Sequence, residues 1–303
     1  MRASSTHYNP LSVTVVLCVI LMALPWNSLA GEDIKGSLNI PDADNTQVVT
    51  MNDGSQLVGR ITEVGDAEVK FRTGLGEMTL LITQIQEIKE VPQSSFRGGK
   101  YWFPNSNSSR LFFGPTGRTI GAGQGYFSAI YALFPSIAYG ITDNISISGG
   151  VSLIPFIDFE DQIFFAIPKV GFSFSDELAL AASALVIRVP SDDDDDPSVV
   201  GVLFGTGTYG STDKSLTLGV GYGFKEDEVA DKPAVLVGGE LRFARRLALV
   251  TENWVFPGLD EPLVSYGMRF FGESLAADLA FFTILDEDSI FPGIPYVDFV
   301  WNF

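Results

Sequence analysis

The sequence predicts an all-β protein in which an antiparallel barrel of about 12 strands crosses a membrane and follows a small β module. Three observations lead there. From Gln124 onward, runs of eight to fifteen residues alternate apolar with small or polar side chains, so every second residue faces the same side of a sheet. The connections between these runs alternate short and long. Mean hydropathy is positive, yet after residue 30 no segment has eighteen consecutive apolar residues. A chain that is apolar overall without a spanning helix fits a wall in which only alternate residues meet lipid.

The 303-residue chain opens with a segment of its own type. Arg2 precedes an apolar run from Leu11 to Pro25, and Ser28 and Ala30 are small residues where a signal peptidase cuts; residues 1–30 are therefore expected to be a removable export leader. The run falls short of the roughly 20 apolar residues a membrane helix needs. Leu17 is too bulky for a lipid-attachment motif at Cys18. His7 and Cys18 are the only histidine and cysteine, so the exported chain would have no imidazole, thiolate or disulfide. Its stability would come from topology and not crosslinks. The net charge of −18 becomes one unit more negative when Arg2 is lost, which disfavours nucleic acid, whose phosphates are bound through Lys and Arg.

Residues 31–45 read as a polar lead-in. Residues 46–91 read as a compact module of short strands, with Asn52-Asp53-Gly54, Gly65-Asp66 and Gly74-Leu75-Gly76 as its turns. The spacing of Ile82, Ile85 and Ile88 suggests a 3₁₀ turn before the last strand. The module resembles a small SH3-like or Sm-like barrel and carries no ligand signature; as a periplasmic unit it would serve as a spacer or docking domain. Residues 92–123 form a linker, locally basic through Arg97, Lys100, Arg110 and Arg118, and aromatic through Tyr101, Trp102, Phe103, Phe112 and Phe113. Two placements are open: the rim of the barrel, or its lumen, where the cations would meet acidic residues.

In the barrel region, residues 124–303, the short connections are at 142–144, 175–177, 212–214, 244–246 and 272–274. The longer ones are at 156–162, 191–197, 226–232, 257–262 and 286–293, with a tight first one near 133–135. Six outer loops and five inner turns give an even strand number with both ends on one side. In the seventh strand Leu216, Leu218, Val220, Tyr222 and Phe224 alternate with Ser215, Thr217, Gly219, Gly221 and Gly223. A lipocalin-like soluble barrel would place its apolar row inside. Here the second row is small and polar, as a lumen is.

The last strand puts Val297, Phe299, Trp301 and Phe303 on one face, with Asp298, Val300 and Asn302 on the other, and the chain ends on that Phe303. This strand resembles the C-terminal signature by which bacterial outer-membrane β-barrels are recognised for assembly. Residues 124–303 resemble that class as a whole through alternation, loop asymmetry and the terminal Phe303. The resemblance implies an outer-membrane location with the front module in the periplasm. It also implies contact with lipid and lipopolysaccharide, and handling by the barrel assembly machinery. The protease, phospholipase and acyl-transferase barrels of this class depend on a histidine that the exported chain lacks, so no enzyme activity and no catalytic residue are expected.

Following the alternation, the inward-facing charges are Lys169, Glu240, Arg242, Glu252, Arg269, Asp278 and Asp298. Charges withdrawn from bulk water must be paired or hydrated. Two readings stay open: a salt-bridge network bracing the wall, or a constriction filtering small ions, with cation preference from four carboxylates against three cations. A glycosidase-like pair would have to be Glu240 and Glu252, but ion pairing with Arg242 and Arg269 is the simpler role. The five successive aspartates Asp192–Asp196 lack the glycine-shaped spacing of a calcium loop and read as a solvated tip, so no metal site is expected. The acidic loops would still share divalent cations with lipopolysaccharide phosphates. The Gly-rich stretch 121–125 precedes a strand and not a helix, so it is no phosphate loop, and no cofactor is expected. The expected function is a narrow passive channel for small solutes or ions. The alternative is an occluded barrel that presents the module to a periplasmic protein partner. A barrel of about 12 strands lies between those packed solid and those with open water channels.

Overall fold

The computed structural model describes residues 38–98, 100–190, 197–226, 228–285 and 291–303. The expected leader, the first part of the lead-in and the aspartate run Asp192–Asp196 lie outside the described residues. The chain divides into two compact units, one up to Trp102 and one from Phe103 on.

The first unit is a five-stranded antiparallel sheet of β1 (Asn45–Met51), β2 (Gln56–Val64), β3 (Glu68–Thr73), β4 (Gly76–Leu81) and β5 (Ile85–Pro92), in the order β4-β3-β2-β1-β5. Alternation decides its core: Val69 and Phe71 of β3 turn inward to join Val49, Ile61, Leu80 and Ile85. Gln47, also buried, accepts from the Ile61 amide at 2.8 Å and donates to the Asn39 carbonyl at 2.8 Å, so its burial leaves neither end of the amide unmet. The turn between β1 and β2 is held by Asp53, whose carboxylate accepts from the Ser55 amide at 2.9 Å. A 3₁₀ turn at Ile82–Gln84 leads into β5. Residues 93–102, read from sequence as linker, belong to this unit and form a 3₁₀ turn and a short pair between Phe96–Arg97 and Lys100–Tyr101.

The second unit is a closed antiparallel barrel of twelve strands. In order these are β6 (Gly125–Ile130), β7 (Phe134–Gly140), β8 (Ile145–Val151), β9 (Phe164–Ser173), β10 (Leu178–Val189), β11 (Ser198–Gly210), β12 (Lys214–Lys225), β13 (Ala234–Ala244), β14 (Leu247–Val255), β15 (Leu263–Phe271), β16 (Leu275–Ile284) and β17 (Ile294–Asn302). A two-residue strand, Glu228–Val229, folds back on the end of β12. Each long strand pairs with its sequence neighbours, and β17 closes the ring on β6. The seam is fastened at the terminus, where Gly125 and Phe303 exchange backbone hydrogen bonds of 2.9 Å in both directions. Full closure leaves no unpaired edge, which a strand structure in lipid requires.

The two faces separate as alternation dictates. Leu216, Leu218, Val220 and Tyr222 point outward and are exposed, whereas Thr217 between them is fully buried. Phe299, Trp301 and Phe303 likewise face outward and Val297 is half-buried, while Asp298 and Val300 point into the barrel. No described helix is long and apolar enough to cross a membrane; the apolar surface belongs to the strand wall.

Candidate functional site

Between Phe103 and Gln124 the chain makes no strand beyond a single bridge from Arg110 to Pro115. Of the two placements open for this part of the linker, the rim and the lumen, the structure shows the lumen. Phe103, Asn105, Asn107, Ser109, Arg110, Leu111, Phe112 and Thr116 are all buried, and Leu111 and Phe112 share an apolar cluster with Phe204, Leu236, Val250, Trp254 and Tyr296 of the wall. The segment enters beside the short turn at Asp213, meets the wall as far as Trp254, Phe282 and Tyr296, and returns beside the short turn at Asp143 to start β6.

The inward-facing charges hold this excursion along its length. At the entry Arg242 donates to the Phe103 carbonyl at 2.8 Å and to Asp213 at 3.1 Å, with its guanidinium 5.1 Å from the Phe103 ring centre. Asn105 donates to Glu240 at 2.6 Å. Deeper, Arg269 donates to both oxygens of Asp278 at 2.7 and 2.9 Å and to Glu240 at 2.9 Å, and it reaches the Leu111 carbonyl. At the tip Glu252 turns one oxygen toward the amides of Phe112, Phe113 and Gly114, at 2.8, 3.1 and 2.9 Å, and the other toward the Trp254 indole N–H at 2.8 Å. Asp298 accepts from Arg110 at 2.5 Å and from the Ser128 hydroxyl. Lys169 donates to the Ser109 carbonyl at 2.9 Å. Six of the seven residues therefore touch the inserted segment directly, and Asp278 acts through Arg269.

On the return leg the Gly117 amide donates to the Thr208 hydroxyl at 2.8 Å, and Thr206 donates to the Thr116 carbonyl at 3.1 Å. A side chain at Gly117 would collide with the backbone of Ala179, so glycine lets the segment lie against the wall. Arg118 then donates to the Gly210 carbonyl at 2.5 Å, and Thr119 to the Asp143 carbonyl at 2.6 Å, both beside short turns.

Arg110 joins the cluster from the inserted segment, so the four carboxylates read from the strands face four cations, while Asp213 at the rim pairs with Arg242. Most of these groups are buried beyond nine-tenths, a position stable only when each charge has partners. The arrangement can clamp a backbone inside the lumen. Glu240 and Glu252 do not form an open carboxylate pair: one is bound to Arg269 and Asn105, the other to four N–H donors. Sequence reading missed Asn105, Asn107 and Thr208, which have no motif. The only advance signal for Arg110 was the basic character of the linker.

No family model matches the chain, and no curated protein matches it. Among solved structures, it is similar to a loop-deletion form of OmpT, an outer membrane protein of Vibrio cholerae, at 14% identity and a TM-score of 0.35, over 86% of this chain and 96% of that one. It is similar to the outer membrane protein Omp33 of Acinetobacter baumannii at 11% identity and 0.34, over 59% and 95%. It is similar to OprD of Pseudomonas aeruginosa at 10% identity and 0.33, over 86% and 92%. The barrel assignment stands on the chain's own strand pairing.

Proposed function

We infer that this chain is an outer-membrane β-barrel closed by its own residues 103–124, which fixes the SH3-like module in the periplasm for an envelope protein partner. The observation that carries this reading is that six of the seven charged groups on the inner wall are bonded to the inserted segment. A filter needs side chains free to exchange water for a passing ion; here six of the seven spend hydrogen bonds on the chain. The location is supported by the apolar, aromatic outer face and by short turns opposite longer loops. An even number of strands returns both barrel ends to the short-turn side, which in such barrels is periplasmic, and the module is joined to that end.

The narrow channel is the second reading. It is favoured by a cavity beside the segment, lined by residues from Tyr126 and Ser146 near the short turns to Phe256 at the long connections. Planar-bilayer recording of the refolded chain from residue 31 decides between them. The closed barrel gives no discrete current steps, and replacing 105–117 with a short Gly-Ser bridge introduces them. Steps of constant amplitude in the unmodified chain would establish the channel.

A further inference from the structure

The cavity beside the inserted segment has a volume of about 160 Å³ and lies against β8 to β11 of the wall. Most of its lining is apolar. Phe113 is 43% exposed although it belongs to the inserted segment, and it stacks parallel to Trp254 with ring centres 6.1 Å apart. Phe204 and Val202 continue this apolar wall.

One charged group in the lining lacks a counter-charge. The other buried cations of the lumen, Arg110, Arg242 and Arg269, each have a carboxylate within 3.1 Å. Lys169 is 8% exposed, lines the cavity, and among the described residues donates only to the Ser109 carbonyl. Two of its three N–H donors are left over. Withdrawing an ammonium group from water without a compensating anion is costly, so an anionic group entering the cavity would meet a favourable partner in Lys169.

We propose that this cavity binds a small monoanion with an apolar body, its carboxylate on Lys169 and its body against Phe113, Phe204 and Trp254. Size limits the body: an apolar protein cavity of about 150 Å³ holds a benzene ring. The site therefore takes an aromatic or short aliphatic acid and excludes long acyl chains. Charge limits the head: a neutral alcohol leaves Lys169 uncompensated, and an amine repels it. The inference depends on the lumen's geometry and not on the anchoring role, and conductance does not report on it.

Calorimetric titration of the refolded full-length exported chain with benzoate and with its neutral analogue benzyl alcohol tests this directly. Benzoate is expected to bind at least tenfold more tightly. Lys169→Met should bring benzoate down to the level of the alcohol, and Val202→Trp, which fills the cavity, should weaken both. Equal affinities in the unmodified chain overturn the proposal whether or not the variants fold. It is equally overturned by a preference for benzoate that survives in Lys169→Met, or by binding that Val202→Trp leaves unchanged.

Discussion

The guanidinium of Arg110 and the carboxylate of Asp298 meet at 2.5 Å across 188 residues of sequence, joining the inserted segment to the strand that closes the barrel. Asp298 also accepts from the Ser128 hydroxyl at 2.8 Å and the Ala129 amide at 3.1 Å, both on β6. One carboxylate therefore ties together the segment, the last strand and the first. Removing one member of a buried pair costs about 3–5 kcal/mol because the other is left charged and unmet. Asp298→Ala should lower unfolding stability by that amount in urea titrations. Arg110→Met combined with Asp298→Ala should be destabilised by clearly less than the sum of the two single changes. Additive effects would mean that the two side chains do not interact.

Glu252 supports the tip with geometry more than with charge. Three backbone amides converge on one of its oxygens and an indole N–H meets the other. Glutamine has the same shape but must turn its NH₂ toward one set of donors. Glu252→Gln should therefore cost about 1–3 kcal/mol and raise amide exchange at residues 112–114 by tenfold or more, with the strands of β14 unaffected. Exchange rates at the tip unchanged by the substitution would detach Glu252 from the segment.

The outer face makes a separate prediction. Leu218 stands in β12 with its side chain outward, 54% exposed, beside the fully buried Thr217. At the middle of a lipid-facing wall, arginine costs about 2–4 kcal/mol; on a water-facing surface the same change stays within about 0.5 kcal/mol. Leu218→Arg should show the larger loss when the chain is unfolded from phospholipid vesicles. The smaller value would place water against that face.

The barrel was legible in the sequence because its code is local. Alternation fixes which of Leu218 and Thr217 faces out, and two or three polar residues suffice to mark each tight turn. Alternation also brought Glu240, Arg269, Asp278 and Asp298 to the inner face. It could not say what they would hold, since their partners lie in a segment without periodicity: Asn105 meets Glu240 across 135 positions, and the Leu111 carbonyl meets Arg269 across 158. Backbone carbonyls and amides carry no residue code, so the clamp on residues 110–114 has no signature beyond a basic, aromatic stretch between two β regions. The choice between rim and lumen required the fold.

In the first unit, Glu90 gives a pH signature. Its carboxyl is held below its ordinary value of 4.5 by hydrogen bonds from the side chains of Asn39, at 3.0 Å, and Asn45, at 2.7 Å. A group whose folded value is depressed stabilises the fold above its unfolded value, and that contribution fades as pH falls through the folded value. Protection of the β1 amides, corrected for intrinsic exchange, should therefore decline below pH 4.5 in the unmodified chain. Glu90→Gln should start from lower protection at neutral pH and decline less. Parallel profiles for the two would show that Glu90 does not contribute.

The central claim, that residues 103–124 close the lumen to passage, is tested most directly at Thr208. This residue is fully buried on the inner wall, with its hydroxyl against the Gly117 amide. From residue 31 on the chain has no cysteine, so in that chain Thr208→Cys introduces a single thiol with little change in volume. In the folded barrel that thiol should resist a charged, membrane-impermeant methanethiosulfonate reagent and react fully once the chain is unfolded. Rapid modification of the folded protein would mean that water reaches the inner wall at that level and that the segment does not close the lumen.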